Sequence, residues 1–225
     1  MAKKKPPGRF ITLEGGEGAG KSTQARRLAK HLENLGISVV VTREPGGSPG
    51  AEVLREVILS GAAAPFGPSG EAILFTAARI DHIDATIAPA LKQGKWVVSD
   101  RFADSTRAYQ GAAGKLDSAL IASLERVALG ELRPDLTLIL DLPVAVGMAR
   151  AADRRGRGAK ADRFEAEGTQ FHETLRRAFL DIAAAEPERC AVIAADRSAD
   201  EVARKIWALV VKRLLPSAAR KGRKP

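Results

Sequence analysis

Five short apolar runs punctuate the chain: Phe10–Glu14, Ser38–Thr42, Trp96–Asp100, Leu136–Asp141 and Cys190–Ala195. The central ones are apolar without strict alternation, the pattern of strands covered on both faces. Between them, apolar positions recur with helical spacing at Lys21–Leu35, Glu52–Leu59, Gly70–Lys92, Ser118–Leu129, Val144–Arg154, Thr169–Ala185 and Ala199–Leu214. Strands alternating with helices long enough for crossovers predict an α/β fold: a five-stranded parallel sheet with helices on both faces. Gly36, Gly94 and Pro134 fall at segment ends, as stop signals should. Pro89 is expected to bend the end of its helix.

Composition narrows the picture. With 225 residues, 45% hydrophobic and 28% charged, the chain has the material for one sizeable core, placed here at residues 10–215. The single cysteine, Cys190, can form no internal disulfide, and no Cys/His cluster has zinc spacing. No apolar run approaches the ~18–20 residues that span a bilayer, and no apolar stretch follows Lys3–Lys5, so the expectation is a cytoplasmic protein without membrane contact. The net charge of +9 points first to nucleic acid, but eight of those charges sit in residues 1–9 and 216–225, four in each. Both ends contain proline and glycine and lack apolar periodicity, so they are expected to be disordered basic tails. No specific nucleic-acid partner follows from them.

The strongest chemical signal is Gly15-Gly16-Glu17-Gly18-Ala19-Gly20-Lys21-Ser22, which fits G-x-x-x-x-G-K-[ST] between a strand and a helix. Glycines let successive backbone N–H groups turn toward phosphate oxygens, and the helix N-terminus adds positive potential. Lys21 supplies a mobile cation for the β and γ phosphates, Ser22 a hydroxyl for Mg²⁺, and Thr23 a second hydroxyl. These residues define a P-loop nucleotide-binding fold with ATP and Mg²⁺ as its ligands. No Asn-Lys-x-Asp segment follows a later strand, which argues against a GTPase and leaves a kinase.

Further segments bear on the acceptor. They are Thr42–Gly47 (Thr-Arg-Glu-Pro-Gly-Gly), Leu74–Arg79, Asp100–Gly111 (Asp-Arg-Phe-Ala-Asp-Ser-Thr-Arg-Ala-Tyr-Gln-Gly), Arg133–Leu136 and Asp162–Glu165 (Asp-Arg-Phe-Glu). Phe75 and Arg79 are i and i+4, on one side of a helix. Spacing alone also allows Phe75 as core and Arg79 as a surface ion pair. Asp100-Arg101 closes a strand at the carboxyl edge of the sheet, where ligands bind.

Together with the phosphate loop, these segments resemble the thymidylate kinase family, particularly its bacterial members, from Arg9 through about Lys212. The resemblance implies dTMP as acceptor and a homodimer, for which Leu74–Ile87 and Ser118–Leu129 offer apolar faces. It implies that Phe75 stacks on the base while Arg79 donates to it. Arg43 and Arg101 hold the acceptor phosphate, Glu17 bonds the 3′-hydroxyl, and Thr106 and Tyr109 meet the thymine edge and deoxyribose. Ser105 and Gln110 lend further hydrogen bonds, and Asp162 and Glu165 approach the acceptor or its metal. Asp100 is read either as an acid near the metal or as a charge partner of Lys21 or Arg101. Some members carry an arginine in the phosphate loop where this chain has Gly18. The basic stretch Arg154, Arg155, Arg157 and Lys160, with Gly156 and Gly158, resembles an arginine-bearing lid at about 153–165. Arg150 and Arg154 lead as the source of the missing cation. The alternatives are another P-loop nucleotide or nucleoside kinase, or an ATPase coupled to nucleic acid.

Overall fold

The computed structural model describes residues 8–155 and 162–215. Five strands form one all-parallel sheet: β1 (Phe10–Glu14), β2 (Val39–Arg43), β3 (Trp96–Asp100), β4 (Leu136–Asp141) and β5 (Cys190–Ala194), in the order β2-β3-β1-β4-β5. The helices are α1 (Lys21–Glu33), α2 (Pro49–Leu59), α3 (Gly67–His82), α4 (Ala88–Lys92), α5 (Ala103–Thr106), α6 (Ser118–Leu129), α7 (Val144–Arg155), α8 (Thr169–Ala185) and α9 (Ala199–Leu214). No helix among the described residues is long and apolar enough to cross a membrane.

The missing alternation in the strands has the expected cause. Ile11, Leu13, Val98, Leu138 and Leu140 pack with Leu28, Leu32, Val202 and Ile206 of α1 and α9. On the other face, Phe10 and Val97 meet Ile87 and Phe102, and Ile139 meets Leu175 and Phe179 of α8. Each fully buried Leu, Ile or Phe stabilises the fold by about 1.5–3 kcal/mol. The polar centre of the sheet is satisfied internally: the hydroxyls of Thr12 and Thr137 bond to each other at 2.8 Å. Parallel pairing brings the carboxyl ends to one edge, with Arg43 opposite Asp100 and Leu13 opposite Asp100 in register.

Three expectations are revised. The helix expected over Gly70–Lys92 is interrupted by a π-helical turn at Ile83–Ile87. Pro89 has no N–H for the carbonyl of Ala85, and the Ala88 N–H reaches back five residues to Ile83. No element was expected between Ala103 and Ala113, yet α5 continues there as a π-helical segment, Arg107–Ala113. Arg9, expected in a tail, is packed against the sheet, its Nη1 donating to Asp135 Oδ1 at 2.6 Å. Residues 1–7 and 216–225 lie outside the described residues.

An ion-pair cluster holds α5 in place. Asp104 accepts two bonds from Arg189, at 2.6 and 3.0 Å, and one from Arg107 at 3.0 Å. Arg189 also donates to the Thr137 hydroxyl at 2.6 Å and to Glu186 at 2.9 Å, so it spans α5, β4 and the end of α8. Removing one partner of a buried pair leaves a charge uncompensated. Asp104→Ala is therefore expected to destabilise the fold by about 3 kcal/mol, measured by urea unfolding. An unchanged midpoint would mean the cluster is solvated and contributes nothing.

Candidate active site

The phosphate loop leaves β1 at Gly15 and enters α1 after Gly20, whose φ of 87° is the left-handed conformation that glycine adopts without cost. Lys21 is folded back over the loop, donating to the carbonyls of Gly15 at 3.1 Å and Gly16 at 2.8 Å. Burial and the neighbouring Arg101 push its ammonium below the ordinary lysine value, against the pull of Glu17, Asp100 and Glu14. The Ser22 hydroxyl donates to Asp100 Oδ2, while Thr23 lies exposed beside it. Asp100 is thus a carboxylate shared with the loop hydroxyl. Among the described residues no three His, Cys, Asp or Glu side chains gather as a metal cluster. A hydroxyl and one carboxylate do suit Mg²⁺, a hard cation that keeps several waters and takes phosphate oxygens.

Arg101 follows β3 with φ 73°, unusual for a residue with a side chain. Its backbone is held there, the N–H donating to Leu13 O at 2.9 Å and the carbonyl accepting from Ser99 Oγ at 2.7 Å. The guanidinium then donates to Gly15 O at 3.1 Å, Ser105 Oγ at 3.2 Å, Glu17 Oε1 at 2.5 Å and the Tyr109 hydroxyl at 2.8 Å. Tyr109 in turn donates to the same Glu17 oxygen at 2.8 Å. Burial alone would raise the Glu17 pKa, but Arg101 and Lys21 outweigh it and hold it at about 2. Glu17 therefore turns toward Arg101 and Tyr109.

Glu14 was not singled out from the sequence. It is fully buried, accepting from the Phe102 N–H and the Ser105 hydroxyl at 2.7 Å each. Burial and the charge of Asp104 raise its pKa well above the carboxylate range. Only its position next to the glycine loop could have marked it.

A cleft of about 380 Å³ extends from the phosphate loop between α2, α3, α5 and the segment after residue 161. Phe75 lines it, its ring 5.9 Å from that of Phe164, which stands 5.4 Å from Tyr109. Arg79 is no surface ion pair: it is buried, donating to Glu44 at 2.8 Å, the Thr106 hydroxyl at 3.0 Å and Phe102 O at 3.3 Å. Glu44 also accepts from His82 at 3.1 Å, which fixes the helix carrying Arg79. Gln110 is buried against the cleft, and Arg43 reaches it while paired with Glu52 at 3.0 Å. Arg55, which carries no sequence signal beyond its place on α2, also lines the cleft and donates to Pro45 O at 2.5 Å.

The far wall comes from α7 and residues 162–165. Arg154 donates to Glu165 at 2.9 Å and lines the cleft, whereas Arg150 turns to the Ala195 carbonyl at 3.1 Å. Asp162 caps its own turn, accepting from the N–H groups of Phe164 and Glu165 at 2.9 Å each. The side chain of Arg155 and all of Gly156, Arg157, Gly158 and Lys160 lie outside the described residues.

Because the folded pKa of Glu17 is depressed, its pairing contributes stability above pH 4.5 that is lost as pH falls toward 2. Glu17→Gln is expected to cost on the order of 3 kcal/mol at neutral pH, a deficit that narrows below pH 4.5. Urea titrations across that range measure it, and a deficit independent of pH would contradict the pairing.

A family model described as thymidylate kinase matches residues 13–206. A curated thymidylate kinase from Bradyrhizobium diazoefficiens is 56% identical over 212 residues, covering 94% of this chain and 92% of the relative. One from Afipia carboxidovorans is 57% identical over 216 residues, covering 95% and 94%. The crystal structure of thymidylate kinase from Ehrlichia chaffeensis superposes with a TM-score of 0.72 at 33% identity, covering 91% of this chain and 99% of that one. Similarity of this extent, on a fold that joins a phosphate loop to a cleft lined by aromatic and charged side chains, establishes that the chain belongs to the thymidylate kinase family.

Proposed function

We propose that the chain transfers the γ-phosphoryl group of Mg²⁺-ATP to dTMP, giving ADP and dTDP. The observation that carries this reading is the reach of Arg101: one guanidinium bonds the phosphate-loop carbonyl of Gly15 and also Glu17 and Tyr109 beside the cleft. On this reading a cation in that position serves both the donor phosphates and the acceptor phosphate.

On this reading the loop from Gly15 to Gly20 and Lys21 hold the ATP phosphates, and Ser22 with Asp100 holds Mg²⁺. When bound, the ion neutralises phosphate charge. Phe75, backed by Phe164, gives the thymine ring a stacking surface. Arg79, already aimed by Glu44 and Thr106, meets the base edge with Gln110, and Tyr109 packs against the deoxyribose. Glu17 accepts the 3′-hydroxyl, while Arg43 and Arg101 grip the acceptor phosphate. That phosphate has a second pKa near ~6 and is mostly dianionic at pH 7. Its oxygen therefore needs aiming and no general base. Catalysis rests on positioning and charge neutralisation by Lys21, Arg101 and Arg154, with Arg155 and Arg157 as further lid cations. Asp162 and Glu165, which line the cleft, approach the acceptor or its metal.

We place the catalytic body at residues 10–215, including the lid at about 153–165, between basic tails and within the cytoplasm. A homodimer is supported by exposed apolar residues on helices packed side by side: Val53 on α2, Phe66 and Ile73 at α3, and Val127 on α6. Leu74, on the face first considered, packs inward.

Steady-state turnover across a panel of nucleoside monophosphates tests the activity. dTMP is expected to give the highest kcat/KM, and turnover of another monophosphate with none of dTMP would overturn the reading. ATP turnover dependent on DNA and on the tails would favour the nucleic-acid alternative. For assembly, light scattering is expected to give twice the 23.9 kDa chain mass, reduced to one chain by Ile73→Glu with Val127→Glu. A monomeric unaltered chain would contradict it.

A further inference from the structure

Gly18 and Gly147 meet backbone to backbone. A Cβ added to Gly18 would lie 2.1 Å from the carbonyl oxygen of Gly147 and 2.8 Å from its carbonyl carbon. A Cβ added to Gly147 would lie 2.4 Å from the carbonyl oxygen of Glu17. The two clashes are reciprocal and involve main-chain atoms, so no change of rotamer relieves either one. Position 18 also has φ 67°, which disfavours a side chain there, but Gly147 stands inside α7 with no positive φ. An alanine at 147 would suit a helix better than glycine does. The glycine at 147 is therefore a matter of contact and not of conformation.

What the contact holds is α7. From Gly147 to Arg154 is seven residues, two helical turns, which puts Arg154 on the same face as the contact and about 10 Å along the axis. Arg154 lines the cleft there and lowers the pKa of Glu17, so its charge is felt at the phosphate loop. A tilt at the contact would move the guanidinium relative to the loop it serves.

We propose that Gly18 and Gly147 form a seat that positions α7 on the phosphate loop and thereby sets the reach of Arg154 toward the transferring phosphoryl group. A side chain at position 18, an arginine included, would occupy the volume of the Gly147 carbonyl. A cation from the loop and a cation from a helix seated this way are thus sterically exclusive. The inference rests on the phosphoryl-transfer reading for its catalytic consequence, though not for its geometry.

Gly147→Ala is the discriminating change. If Gly147 only fills a helical position, the variant is at least as stable as the unaltered chain and keeps its kcat. If it is a seat, α7 must withdraw by about 1 Å, the difference between 2.4 Å and ordinary contact at 3.4 Å. A misplacement of ~1 Å can cost about a hundredfold in rate. The expected result is a kcat lowered by about 10- to 100-fold, with KM for dTMP unchanged. Arg154→Ala added to Gly147→Ala should lower kcat far less than it does alone, because both changes remove the same contribution. Crystal structures of the free unaltered chain and the variant give a readout independent of activity: α7 is expected to stand farther from the loop. An unmoved α7 with full kcat would overturn the proposal. If the unaltered chain phosphorylates no monophosphate, the phosphoryl-transfer reading fails, and the position of α7 in the two crystals still decides the seat.

Discussion

The Arg101 guanidinium is the interaction on which the site depends. A largely buried positive charge requires acceptors on several sides. Here they come from elements far apart in the chain: the Gly15 carbonyl, Glu17, Ser105 and Tyr109. The parallel pairing of β1 with β3 makes this possible, because it sets the end of β1 beside the start of the Arg101 turn. The same pairing places Asp100 against the Ser22 hydroxyl. The sheet thus delivers the phosphate loop and the head of the cleft to one edge, and one side chain joins them.

Around that charge, two acids of neighbouring sequence are driven apart. Glu14 is enclosed and lies near Asp104, which favours its neutral form. Glu17, three residues on, faces Arg101 and Lys21 and stays ionised into strong acid. Glu14 thus serves the backbone turn after Arg101, and Glu17 keeps a full negative charge beside the cleft. The Asp104–Arg189–Arg107–Glu186 cluster acts one layer out, tying the helical segment with Ser105, Thr106 and Tyr109 to β4 and the end of α8.

Much of the fold was legible in the sequence because apolar runs and helical spacing are local properties. All five strands and the phosphate loop stand where the pattern put them, within a residue at the ends. The helix after Arg101 was missed because α5 has four residues and runs on in π form, which has no 3.6-residue period. Phe75, Arg79, Thr106 and Tyr109 were picked out by segments that resemble a family, and the fold brings all four to one cleft. Glu14, Glu44, Arg55 and Phe164 were not singled out, since their partners are set by tertiary packing. The Gly18–Gly147 contact has no one-dimensional signature, because a glycine within a helix looks like any other.

The proposal that Arg101 links donor and acceptor sites requires it to exchange partners. In the structure it is bonded to Glu17 and Tyr109. A crystal structure with dTMP bound tests this most directly. The expected result is an Arg101 nitrogen within hydrogen-bonding distance of a dTMP phosphate oxygen, with Glu17 on the sugar 3′-hydroxyl. An Arg101 still closed on Glu17, with the phosphate held elsewhere, would contradict it.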